Sequence, residues 1–221
     1  MKYLRCLAPA LIGLGFMVSA SMAWADDAAT LNLAVTRDDS YGVSKMLEHG
    51  VDPNLKEPQR GETPLMVAIR EKAMRSIQVL LASPKTDIEA AANNGDTALM
   101  VAAYTRNVDA VKALLAHDAE VNRHGWAPLH YAAAVGDVEI IQLLLDKSAY
   151  VDVESPNKTT PLMMAARGGN NDAATALIEA GADLSLKNDQ GMTAVDFALN
   201  YDHRDTAALI KSAIKPAPGG K

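Results

Sequence analysis

The sequence predicts an all-α solenoid of stacked helix-turn-helix units with projecting hairpin loops, and three observations predict it. A triplet recurs as Thr63-Pro64-Leu65, Ala127-Pro128-Leu129 and Thr160-Pro161-Leu162, with weaker echoes at Thr97-Ala98-Leu99 and Thr193-Ala194-Val195. The echoes keep phase: Leu99 to Leu129 is 30 residues, and Leu129 to Leu162 and Leu162 to Val195 are each 33. Self-similarity at such a period marks a repeat architecture. The chain is also 49% hydrophobic but only 5% aromatic, which suits closely packed Ala- and Leu-rich helices.

The unit spelled most fully runs from Gly125 to Val153. Pro128 fits a helix start, where its missing N–H is no loss and its fixed φ helps. Leu129, Ala132 and Ala133 share one helical face, and Gly136 supplies a left-handed turn. A second helix follows, with Val138, Ile141, Leu144 and Leu145 expected on its buried face and Asp137 and Glu139 in its first turn, where the helix dipole favours acids. Two short antiparallel helices cannot enclose a core, so the unit needs neighbours. The stretch resembles an ankyrin repeat, whose pattern is G-x-T-P-L-H-x-A-A-x-x-G-x-x-x-x-x-x-L-L-L-x-x-G-A-x-V-x. It departs at Ala127, where Thr is usual and would cap the first helix, and at Ser148, where Gly is usual. A weaker cap is expected at Ala127.

Taken in order, residues 1–25 read as a secretory signal peptide. Lys2 and Arg5 open it, Leu7 to Ala20 are mainly apolar, and Ala23-Trp24-Ala25 forms an A-x-A site, so cleavage is expected between Ala25 and Asp26. A retained membrane anchor is the rival, because the uncharged stretch approaches spanning length. Pro9, Gly13, Gly15 and the small residues at its end favour cleavage, and Cys6 lies too early to be a lipidated cysteine. Loss of Cys6 leaves no thiol, which suits an oxidising compartment. On a protein that resembles the ankyrin family, this leader points to a bacterial periplasm, with membrane contact only during export. The formal charge is −6, and residues 1–25 carry two cations and no acid, so the remainder stands at −8. An acidic body argues against nucleic acid as a partner.

Six units are expected over 26–213, at 27–56, 60–91, 94–122, 124–154, 158–187 and 191–213, with a disordered tail at 214–221 rich in Pro and Gly. The first lacks the triplet and has Leu31, Ala34 and Val35, then Val43, Met46 and Leu47, as its apolar positions. In the second, Thr63 caps Pro64, and Lys72 stands where Gly is usual, so a different interhelical turn is expected there. In the third, Arg106 replaces that glycine and Asn107 is expected to take the left-handed conformation beside it. Three residues are missing between Asn122 and Gly125, so that finger must be short. Lys158 replaces the glycine of the fifth finger. The last unit carries Thr193 and Asp196 as a capping-box pair and Ala208, Leu209 and Ile210 as apolar positions.

No catalytic constellation is present: no G-x-S-x-G, H-E-x-x-H, P-loop or dinucleotide fingerprint. No cofactor or metal is expected. His130 occupies the family's T-P-L-H position, where the ring braces the helix start and the neighbouring unit, and one histidine cannot make a site that needs about four ligands. Binding remains. The resemblance implies an L-shaped stack whose hairpin tips and first helices line a concave, partner-binding face. Carried onto this sequence, the tips supply Arg60, Glu62, Asn94, Asp96, His124, Trp126 and Gln190, and the helix ends supply Arg70, Glu71, Tyr104, Thr105, Val135, Arg167 and Tyr201. Trp, Tyr and Arg are the types enriched in binding hot spots. Met66, Met100, Met163 and Met164 are expected to fill core gaps. The expected protein is therefore a non-enzymatic scaffold, monomeric, that docks, stabilises or inhibits another exported protein. An immunity protein against a secreted toxin, or an accessory to an oxidative-defence enzyme such as a catalase, are the two forms the resemblance suggests. An enzyme with an unrecognised site is the rival from another class.

Overall fold

A computed structural model describes residues 27–214. The expected leader, its Ala25–Asp26 cleavage site and residues 215–221 of the expected tail lie outside the described residues. The described chain forms twelve helices and no strand: α1 (27–36), α2 (Ser40–Glu48), α3 (Pro64–Arg70), α4 (Met74–Ala82), α5 (Ala98–Tyr104), α6 (Val108–Ala116), α7 (Pro128–Val135), α8 (Val138–Asp146), α9 (Pro161–Arg167), α10 (Asn171–Glu179), α11 (Ala194–Asn200) and α12 (Arg204–Ala213). They pair in chain order. First helices stack on first helices (α3, α5, α7, α9, α11) and second on second (α2 through α12, even numbers), which makes two layers. One apolar seam runs between the layers from Leu31 to Ile210. Leu65, Leu99, Leu129 and Leu162 are all at most 1% exposed, so the recurring leucine of each triplet is its unit's anchor in that seam. None of the described helices is long and apolar enough to cross a membrane.

The triplets start helices for the reasons the residue types suggest. Thr63 Oγ1 accepts from the Met66 N–H and Thr160 Oγ1 from the Met163 N–H, both at 3.4 Å, and a proline follows each cap as the first helical residue. Thr193 and Asp196 bond reciprocally, with the Thr193 N–H reaching Asp196 Oδ2 at 2.8 Å and the Asp196 N–H reaching Thr193 Oγ1 at 3.3 Å. Ala127 has no side-chain cap. His130 compensates: its Nδ1 accepts the Ala127 N–H at 3.1 Å, and its Nε2 lies 2.9 Å from the Thr159 carbonyl oxygen of the next unit. Since Nδ1 accepts, Nε2 must carry the proton and donate. The ring is fully buried, and burial depresses its pKa against a smaller opposing effect of these backbone bonds.

The interhelical turn keeps one geometry whatever residue occupies it. Asp38, Lys72, Arg106, Gly136, Gly169 and Asp202, one per unit, all have φ between +51 and +74. Two expectations are corrected here. Lys72 adopts the same left-handed turn that glycine would, and Arg106 takes it rather than Asn107. Asn107 is needed elsewhere: its Oδ1 caps α6 from the Ala110 N–H at 3.1 Å, and its Nδ2 donates to the Ile69 carbonyl of the previous unit at 3.0 Å. Asn170 makes the equivalent bridge to Ala133 and Ala134. Two core assignments also shift. Val138 is 38% exposed, while Ile140 is fully buried, because Asp137 caps α8 and sets its rotation by accepting the Ile140 N–H at 3.1 Å. In α12 it is Ala207 that is buried, and Ala208 is exposed.

The fingers differ as the missing residues require. Those at 57–62, 92–96, 155–159 and 188–192 each close with two backbone hydrogen bonds, such as Ala92 N–H to the Asp96 carbonyl at 2.8 Å and Gly95 N–H to the Ala92 carbonyl at 2.9 Å. No backbone bond closes the 122–126 turn. Adjacent fingers are also stitched, Asn93 N–H to the Arg60 carbonyl at 2.9 Å and Asp189 N–H to the Asn157 carbonyl at 3.1 Å, but the short finger is stitched to neither neighbour. Farther back on the units, Asn54 brackets Lys85 and Asp87, and Asn122 brackets Ser148 and Tyr150, each amide accepting one N–H and donating to one carbonyl.

Two outcomes follow for stability. A left-handed non-glycine residue is strained relative to glycine, so Lys72→Gly should raise the unfolding free energy by about 0.5–1 kcal/mol, whereas Lys72→Ala should not; urea denaturation measures both. His130 is held neutral by burial, so below its ordinary value of 6.5 the unfolded chain takes up a proton that the folded chain refuses. Its contribution is present above that pH and is lost as pH falls toward the depressed folded value. The urea midpoint should therefore drop between about pH 7.5 and about pH 5.5, and His130→Gln, though less stable at the start, should lose less over that interval.

Candidate functional site

Stacking at a constant step places equivalent side chains in rows, and three rows form the concave face. The residue before each threonine or its substitute gives the tip row: Glu62, Asp96, Trp126, Thr159 and Met192. From α5 onward, the residue two after the last residue of each triplet gives the floor: Val101, Tyr131, Met164 and Phe197. One turn later on the same helices lies the helix-end row: Arg70, Tyr104, Ala134, Arg167 and Asn200. All of these line three clefts that share walls and so form one groove.

The N-terminal cleft, about 600 Å³, holds Arg60, Glu62, Arg70, Asn94, Asp96 and Tyr104 from the expected contact set. Its charges are satisfied internally. Arg70 donates to both oxygens of Glu62, through Nε at 3.3 Å and through Nη2, and Arg60 Nη1 lies 4.0 Å from the same carboxylate. Glu62 is therefore a correction: expected on the exposed tip, it is 6% exposed and positions the two arginines. Asp96 accepts from the Tyr131 hydroxyl and from Asn94 Nδ2 at 2.7 Å. Burial, then the Asp96 hydrogen bond, pushes the Tyr131 hydroxyl above its ordinary range, so it remains a donor.

The middle of the groove is an apolar pocket of about 230 Å³ between Tyr104, Trp126, His130, Tyr131, Ala134 and Met164. Trp126 stands edge-on to His130 with ring centroids 5.1 Å apart and to Tyr131 at 6.4 Å, and Tyr104 meets Tyr131 edge-on at 6.2 Å. Edge-to-face contacts of this kind hold rings in fixed orientations. Tyr104 remains 57% exposed and Trp126 38%. The C-terminal cleft, about 490 Å³, contains Trp126, Arg167, Gln190 and Tyr201 from the expected set. There the Arg167 guanidinium lies over the Tyr201 ring, 5.1 Å from its centroid.

Four expected residues fall outside the groove. His124 lines a separate cleft of about 980 Å³ beneath the clipped finger, facing Tyr150 to Pro156. Glu71 is the exposed C-cap of α3, Thr105 donates its hydroxyl back to the Val101 carbonyl at 2.8 Å, and Val135 ends α7 without reaching the groove. The floor residues Val101, Tyr131, Met164 and Phe197 all lie outside the contact set expected from sequence. Tyr131 fills the variable position after His130, which α5, α7, α9 and α11 all turn to the floor. Met164 was assigned to the core. It is half-buried and lines both the middle and C-terminal clefts, whereas Met66, Met100 and Met163 are buried as expected. Among the described residues no three His, Cys, Asp or Glu side chains cluster closely enough to hold a metal ion.

Comparison with known proteins agrees with this geometry. Residues 31–124, 76–155 and 129–217 each match the family model described as ankyrin repeats in three copies. The human SH3 and multiple ankyrin repeat domains protein 2 is 33% identical over 172 residues, 76% of this chain but 9% of that protein. A probable E3 ubiquitin-protein ligase of Oryza sativa subsp. japonica, XBOS31, is 35% identical over 127 residues, 55% of this chain and 28% of that one. The chain thus spans less than a third of either relative. Among solved structures, the ankyrin repeat domain of Bcl-3 superposes with a TM-score of 0.70 at 28% identity, over 82% of this chain and 81% of that one. A chain from the complex of the predatory endopeptidase Bd0816 of Bdellovibrio bacteriovorus with immunity protein Bd3460 superposes with a TM-score of 0.72, also at 28% identity, over 83% of this chain and 97% of that one. Ankyrin repeats are protein-binding scaffolds, and by its repeats, its stacking and its relatives the chain belongs to the ankyrin-repeat family.

Proposed function

We propose that this chain is an exported, non-enzymatic ankyrin-repeat protein that binds another periplasmic protein along the concave groove and thereby docks, stabilises or inhibits it. The observation that carries the reading is the aromatic centre of the groove. Tyr104, Trp126 and Tyr131 are fixed against one another yet leave an apolar pocket open, and rigid aromatic side chains in a desolvated pocket are what interface hot spots are made of. Export rests on the leader-like residues 1–25. The inhibitory form has a specific observation behind it, the likeness to a chain from a complex of an endopeptidase with an immunity protein. A stabilising accessory of an oxidative-defence enzyme such as a catalase is the other form, and the same groove would serve it.

The test starts from the full chain expressed in its native host. N-terminal sequencing of the periplasmic protein should begin at Asp26; a start at Met1 would refute cleavage, and absence of the protein from the periplasm would refute export. The tagged protein should capture one stoichiometric partner. Tyr104→Ala and Trp126→Ala should each weaken that complex about 30-fold or more with circular dichroism unchanged, the loss expected for hot-spot residues. Full affinity in both variants would remove the groove as the binding face.

A further inference from the structure

We infer that the occupant of the groove is an extended protein segment that seats one large apolar side chain in the pocket between Tyr104 and Trp126 and sets an Asp or Glu against Arg167. This rests on the groove being the binding face proposed above, and it adds the chemistry of what binds.

The pocket sets the first requirement. At about 230 Å³ it falls below the roughly 300–1,000 Å³ of sites that enclose a whole small molecule, and it suits a single side chain. It offers no free polar group at its base. Both His130 nitrogens are occupied, by the Ala127 N–H and the Thr159 carbonyl, and the Tyr131 hydroxyl is committed to Asp96. A polar side chain entering there would lose its water without a replacement partner, which costs it binding energy. An apolar one loses nothing.

Charge sets the second. The cleft beyond Trp126 contains Arg167 and no acidic residue, on a chain whose body carries −8. Among the described residues no carboxylate lies within 4.0 Å of Arg167, whereas Arg60 and Arg70 share Glu62. The Tyr201 ring holds the guanidinium from one side, leaving its donor edge for a planar, bidentate acceptor. A single arginine suits a carboxylate better than a phosphorylated side chain, which is bound by clusters of arginines.

Spacing links the two. Met164, in the pocket wall, and Arg167 sit one turn apart on α9, about 5–6 Å between Cβ atoms. Same-side residues of an extended chain lie two positions apart, about 7 Å. The apolar anchor and the acid are therefore separated by one intervening residue.

Random linear peptides displayed on phage, selected on the full-length chain, test this directly. Selected peptides should converge on a large apolar residue, one arbitrary residue, then Asp or Glu, in either chain direction. A synthetic peptide of that pattern should bind Arg167→Gln about tenfold or more weakly, the worth of a charge-assisted bond, while its Asp→Asn counterpart should be indifferent to the substitution. Selection on Arg167→Glu should replace the acid with Lys or Arg. Peptides lost in Tyr104→Ala and Trp126→Ala but showing no acid preference would overturn the inference and leave the groove standing as the binding face. Peptides insensitive to all of these substitutions would overturn both, and a chain that enriches no peptide would overturn the inference.

Discussion

Everything in this molecule depends on one constraint: a pair of helices only seven to ten residues long cannot hide its own apolar face. Each unit must therefore lay that face against the unit before and the unit after, and the seam from Leu31 to Ile210 is the result. Stability in such a stack is nearly the sum of units and their contacts. The same constraint builds the groove. Because each unit repeats at a constant step, any position the core does not claim is displayed once per unit in a straight row. The tip, floor and helix-end rows flank the positions that Leu65, Leu99, Leu129 and Leu162 fill, with Val101 and Phe197 of the floor shared between core and groove.

Register along the stack is held by buried polar side chains as much as by leucines. His130 ties its own helix start to Thr159 in the next unit, and Asn107 and Asn170 each reach a carbonyl at the end of the preceding first helix. An apolar seam is non-directional and tolerates sliding, whereas a buried amide that must find a carbonyl does not. The polar bridges fix how far each unit is rotated on its neighbour, and so whether Tyr104, Trp126 and Tyr131 meet at one place.

The fold was legible in the sequence because it is written several times over. The triplets gave the helix starts, their spacing gave the units, and Thr193 with Asp196 gave a capping box that the structure contains. What was misjudged has local causes. Asn107 looked the better left-handed residue, but its side chain is required to cap α6 and to bridge to Ile69, so Arg106 takes the strained φ instead. Val138 looked buried because it is apolar, but Asp137 sets the rotation of α8 and turns Ile140 inward. Of the groove, the rows were partly legible, since the tips and helix ends follow from the repeat register. Tyr131 and Met164 were missed for the same reason: the floor position sits inside the helix, beside core residues, and only the inter-unit rotation shows that it faces the cleft. Glu62 was overestimated because pattern alone cannot reveal that two arginines fold over it.

The clipped finger has a consequence for mechanics. Elsewhere along the row of hairpins, closure within a finger or a stitch between fingers makes the edge behave as a strip of connected backbone. At 122–126 that strip is interrupted, and the joint is carried by side chains, the Tyr104–Tyr131 ring contact, the Tyr131 hydroxyl on Asp96 and the Asn122 amide on Ser148 and Tyr150, together with the helices below. Bending the stack at this joint breaks no main-chain bond along the finger edge. The break in the strip of finger backbone thus coincides with the aromatic centre, where side chains rather than main chain span the edge.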